Sequence, residues 1–164
     1  MTLRFVILSL LASTAIHAVW EFAQCAPLYL EGRFSMSLAN MLRVTFADVG
    51  LSTLIYGVVA LVQRDVAWGL QPKRWALLAA MTIGAGLATG IEWHALSNNR
   101  WAYSPWMPTI FGLGVPPLLQ LGAGTVLPLW IGLWGSRMLA RPAIATIESA
   151  PSARWRGTGS RPPR

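Results

Sequence analysis

Four long apolar blocks govern what this chain can fold into: Phe5 to Ala23, Thr45 to Val62, Trp75 to Leu96 and Val115 to Leu139. Each approaches or exceeds the ~20 residues with which an α-helix crosses ~30 Å of hydrocarbon. A backbone in lipid must satisfy its own hydrogen bonds, so blocks of this length read as helices. The expectation is an all-α membrane protein, with a four-transmembrane-helix bundle over residues 1–140. Composition agrees: 54% of the chain is hydrophobic and only 12% is charged, about half the charged share of a soluble domain.

The net charge of +7 would by itself suit nucleic acid, but its distribution fits topology better. Four spans put Arg4, Arg64, Lys73, Arg74, Arg137, Arg141, Arg154, Arg156, Arg161 and Arg164 on one side and Arg33, Arg43 and Arg100 on the other. The basic excess marks the cytoplasmic side. Both termini are therefore expected in the cytoplasm, and the chain in a bacterial inner membrane. No nucleic-acid partner is expected; the partner is the lipid bilayer, with some attraction to anionic lipid. Trp68, Trp75 and Trp134 would mark the inner interface, and Trp20, Trp93, Trp101 and Trp106 the outer one.

Residues 141–164 combine Pro and Arg without hydrophobic periodicity and predict a disordered basic cytoplasmic tail. Residues 1–15 have the charge, apolar run and small residues of a signal peptide. The run continues past them to Ala23, which favours retention as a membrane helix. Cys25 has no partner cysteine in the chain and reads as a small packing residue.

Polar residues interrupt the blocks in stripes. Ser9, Ser13, His17, Glu21 and Gln24 are spaced by 4, 4, 4 and 3, within about 120° of one helix face at ~100° per residue. Thr45, Asp48, Ser52 and Tyr56 repeat the pattern on the second helix. Lipid would not hold such faces, so they should point into the bundle. Gly86 and Gly90 form a small-residue pair suited to close helix approach. Helix rise puts Glu21, Asp48, Glu92 and Gln120 at one depth, near the outer boundary. Residues 27–43 should form an outer loop with a short interfacial helix. Residues 101–117, too rich in Pro and Gly for regular structure, should fold over the outer mouth.

Intramembrane acids are costly and point to function. Glu21, Asp48 and Glu92 are the candidate catalytic residues. His17, Gln24, His94, Arg100, Trp101, Tyr103, Trp106 and Gln120 are the candidate ligand-binding residues. Two acids in a dry site can divide the roles of proton donor and acceptor, and aromatic faces can hold a cationic intermediate. Each acid also has a structural reading. Asp48 would suit the N-terminal turn of its helix, and Glu21 or Glu92 could pair with Arg43 or Arg100. No spacing matches a nucleophile elbow, a phosphate loop or a metal site. No metal or cofactor is expected, although His17 and His94 could in principle ligate a haem from two helices.

The run Glu92, Arg100-Trp101-Ala102-Tyr103, Met107-Pro108, Gly112 and Gly114-Val115-Pro116 resembles a segment of bacterial carotenoid-hydratase membrane proteins. The resemblance covers about 25 of the 164 residues. It implies chemistry on an isoprenoid-like lipid and carries over no catalytic residue. Those proteins have more spans, and the Pro-x-Glu motif of the related membrane lycopene cyclases is absent here. Three functions stay open: binding or processing of an apolar or amphipathic small molecule, a non-catalytic membrane subunit or assembly factor of a larger complex, and a proton-coupled transporter; a membrane-protein partner or a homodimer stays open with them. The transporter is disfavoured by the few polar groups in the inner halves of the helices.

Overall fold

Without a hydrophobic force between helices in lipid, small and polar residues pack inward and large apolar ones face out. The computed structural model of the chain, which describes residues 2–140, follows that rule. Its four helices are α1 Thr2–Leu28, α2 Leu38–Gln63, α3 Arg74–Ser97 and α4 Val115–Leu139. All four are long and apolar enough to span a membrane. The face α1 buries is Phe5, Ser9, Ser13, His17, Glu21 and Gln24, while Leu11 and Val19 are exposed. α3 buries Ala76, Ala80, Gly84, Ala88, Glu92 and Ala95. The tail expected at 141–164 lies outside the described residues.

α4 is the most buried helix, and it packs mainly against α1 and α3. α2 completes the bundle, leaning chiefly on α1. A Cβ on Gly84 would overlap the Leu121 carbonyl oxygen, so α3 meets α4 backbone to backbone there. On the α1 side, a Cβ on Gly132 would overlap Ser9 Oγ. Gly86 and Gly90, expected to be the close-approach pair, are instead exposed with open space before them. The alanines at 76, 80 and 88 supply the small packing face, so spacing alone did not mark which small residues would be used. At the inner end Arg4 donates to the Leu139 carbonyl at 3.3 Å, meeting an otherwise free acceptor of the last α4 turn. Trp68 is no interface anchor: it is buried, stacked on Tyr56 at 4.9 Å, and its indole donates to the Tyr56 carbonyl.

The outer loops are more regular than expected. β1 Tyr29–Glu31, directly after α1, pairs antiparallel with β2 Trp101–Tyr103, after α3; Tyr29 lies opposite Tyr103 and Glu31 opposite Trp101. Arg33 N and Phe34 N extend the ladder onto the carbonyls of Asn99 and Arg100, at 3.1 and 2.9 Å. β3 Thr109–Ile110 and β4 Leu113–Gly114 form a second hairpin. Its two turn residues, Phe111 and Gly112, have φ of 52° and 78°, the positive pair that a type I′ turn requires. The expected interfacial helix is likewise replaced: Leu38–Leu42 are the first turns of α2, capped by Ser37 Oγ on Asn40 N. Backbone groups beside an apolar phase must find partners, and strand pairing supplies them even in a Pro- and Gly-rich segment.

Candidate functional site

The stripes on α1 and α2 and the glutamine of α4 converge as their spacing implied. Gln120 is the hub. Its Nε2 donates to Glu21 Oε1 at 2.6 Å and to Asp48 Oδ2 at 2.7 Å, and its Oε1 accepts from Gln24 Nε2 at 2.8 Å. Gln24 accepts in turn from the Trp20 indole at 2.8 Å. One amide thus ties α4 to α1 and α2 and holds two carboxylates on a single nitrogen. Cys25 Sγ donates to the other oxygen of Glu21 at 3.4 Å. All four polar side chains, Glu21, Gln24, Asp48 and Gln120, are buried.

His17, one turn deeper, is wholly buried. It bonds not to Glu21 but to Ser52, through Nε2 at 3.0 Å. Its Nδ1 has no hydrogen-bond partner and lies 4.0 Å from Asp48 Oδ2. Ser52 continues to Thr125 at 3.4 Å, and Thr125 donates to the Leu121 carbonyl.

Glu92 on α3 has a different setting. The β1–β2 ladder brings three aromatic donors over it: Tyr29 OH at 3.2 Å, Tyr103 OH at 2.5 Å and the Trp101 indole at 3.5 Å. Tyr103 OH also accepts from Gly114 N at 2.8 Å, which fastens the start of α4 to the same knot. Burial, then the neighbouring Glu92, push the Tyr29 and Tyr103 phenols above their ordinary titration range, so both stay protonated donors.

Between these groups, at the end of the bundle that carries the strands, lies a cleft of about 630 Å³, including its open mouth. Glu21, Asp48 and Glu92 line it with Gln24 and Gln120. Its aromatic wall is Tyr29, Phe34 and Trp101, and its apolar floor includes Ile91, Pro117 and Leu121. Arg100 stands at the rim, with its guanidinium 5.8 Å from the Phe34 ring and 5.5 Å from the Trp101 ring. Among the described residues neither Arg43 nor Arg100 pairs with a carboxylate; Arg43 donates to Asn40 instead.

The structure therefore gathers Glu21, Asp48, Glu92, Gln24, Gln120 and Trp101 in one cleft, with Tyr103 above Glu92 and His17 behind Asp48. It does not gather His94 or Trp106. His94 is exposed and sits beside Asn98, far from the orientation a shared haem with buried His17 would need. Trp106 is 81% exposed on the outer surface. No cluster able to hold a metal ion occurs among the described residues.

Sequence reasoning passed over Tyr29, Phe34 and Thr125. Tyr29 extends the run Glu21, Gln24, Cys25 beyond the helix, and an aromatic there was the available signal. Thr125 lies five positions beyond Gln120, outside a simple helical stripe. No family model, no curated protein and no solved structure matches this chain.

The arrangement brings a carboxylate pair held by one amide and a third carboxylate held by phenols to the wall of an aromatic, largely apolar cleft. Such a lining, aromatic and apolar with a few convergent polar groups, is that of a small-molecule site. Its acids are placed to receive, hold or return a proton.

Proposed function

We propose that this chain is a multi-pass protein of the bacterial inner membrane, with both termini cytoplasmic, whose outward cleft binds or processes an apolar or amphipathic small molecule. The observation that carries the reading is the cleft itself. Three helices each commit a costly buried acid to it, and two short strands are spent on closing an aromatic wall over it. An isoprenoid-like lipid matches the apolar floor, and hydration or isomerisation of its double bonds is chemistry a carboxylate pair can serve. The partial resemblance to carotenoid-hydratase proteins points the same way.

Native mass spectrometry of gently solubilised protein tests this. The wild type should carry a small lipid or pigment that Asp48→Asn loses while remaining monodisperse. Asp48 is a sharper choice than Glu92, whose replacement also disturbs three aromatic donors. An empty wild-type cleft beside a stoichiometric polypeptide partner would favour the second reading, a membrane subunit or assembly factor of a larger complex. Exposed Gly86 and Gly90, with nothing within 4 Å of the positions their Cβ atoms would take, favour that reading specifically.

A further inference from the structure

The carboxylate pair has few donors around it. Thr125 spends its proton on the Leu121 carbonyl. Ser52 sits between His17 Nε2 at 3.0 Å and Thr125 Oγ1 at 3.4 Å and occupies one ring nitrogen. The other, Nδ1, belongs to a side chain with no exposed surface and has no hydrogen-bond partner. Asp48 Oδ2, at 4.0 Å, is beyond hydrogen-bond reach of it. Thr45 Oγ1, one turn from Asp48 and also buried, has no partner either.

On the cleft side, Gln120 spends both N–H groups on the acids, and the weak Cys25 S–H is the other donor to either of them. No Lys, Arg or His is among the described residues lining the cleft. The aromatic rings at the rim already carry one cation, the Arg100 guanidinium. The site has a carboxyl pair with no cationic partner among the described lining residues, and π faces. What it lacks is a group with several N–H donors and a positive charge.

We propose that the ligand of the cleft is an amphiphilic amine, whose primary ammonium head sits against Glu21 and Asp48 and whose apolar part lies along the Tyr29, Phe34 and Trp101 wall. This rests on the small-molecule reading above and narrows it to a cationic head. The ammonium donates three hydrogen bonds and accepts none, the complement of the acceptors that go unmet.

The test is isothermal titration calorimetry of the full chain in phosphatidylcholine nanodiscs at neutral pH. Dodecylamine, dodecanol and dodecyltrimethylammonium are compared against empty nanodiscs. Dodecylamine should bind saturably and at least tenfold tighter than either other probe. Asp48→Asn should lose at least tenfold for the amine and nothing for the alcohol. If that variant is not monodisperse, Glu21→Gln should give the same loss. Dodecanol binding as tightly as dodecylamine would overturn the cationic head and leave the apolar cleft standing. Dodecyltrimethylammonium matching the amine would overturn the hydrogen-bonding ammonium. Saturable binding by none of the three would overturn the small-molecule reading together with this one.

Discussion

Glu92 and the Glu21–Asp48 pair line one cleft, yet they live under opposite conditions. Glu92 receives three donors from the outer strands, more than most carboxylates obtain in a protein interior. Glu21 and Asp48 divide one amide nitrogen and a thiol between them. A carboxylate saturated with donors is a structural keystone, since removing it strands its partners. One left short of donors contributes little to stability and stays available to something from outside. Equal depth and equal residue type therefore conceal a division between an acid that holds the cap and a pair with donors to spare for neither member.

The largest effect that could break this contrast is Glu92→Leu. It leaves buried Tyr29 and half-buried Tyr103 and Trp101 without an acceptor, at about 1–3 kcal/mol for the buried group and less for the other two. Thermal unfolding in detergent should show a loss of roughly 2–4 kcal/mol, and an unchanged midpoint would sink the keystone role. Next comes Tyr103→Phe, which removes a donor from Glu92 and the acceptor of Gly114 N. A loss of about 1–3 kcal/mol is expected, larger than for Tyr29→Phe, which removes a single bond. Equal losses would show that the bond to Gly114 is idle.

Asp48→Asn should shift stability by less than about 1 kcal/mol, the ordinary range for a membrane-embedded polar contact. A drop as large as that of Glu92→Leu would erase the distinction. The cap should also show a pH dependence. Tyr29 and Tyr103 are raised in the folded chain, so near pH 10 the unfolded chain begins to release phenolic protons that the folded chain still holds. The stability they contribute is whole below pH ~10 and is lost as pH climbs toward their folded values. Denaturation followed from pH 9 to 11 should show the decline, and Tyr29→Phe with Tyr103→Phe should flatten it.

Much of this was legible in the chain. The stripes Ser9–Gln24 and Thr45–Tyr56 named the inward faces because lipid tolerates no such row. Helix rise alone put Glu21, Asp48 and Gln120 within reach of one another. The setting of Glu92 was not legible. It depends on Tyr29 pairing with Tyr103 across a ladder of three residues, which no local pattern announces; it forms because two helix ends arrive side by side. The close approach at Gly84 was hidden for a related reason. Alanines on the same face pack as glycine does, so spacing could not distinguish the tight face from the open one that carries Gly86 and Gly90. His94 shows the limit of depth arguments: close to the cluster along the bundle axis, it is exposed on another face of its helix.

The β1–β2 ladder has a mechanical consequence. It bolts the outer end of α1 to the outer end of α3, and α4 is wedged between those same two helices. Three of the four helices therefore form a braced frame around the cleft. α2, with Asp48 on it, enters without a strand of its own and packs on α1, α3 and α4. It is therefore the one wall of the cleft outside the brace, and beside the cleft the bond between Asp48 and Gln120 is its tie to α4.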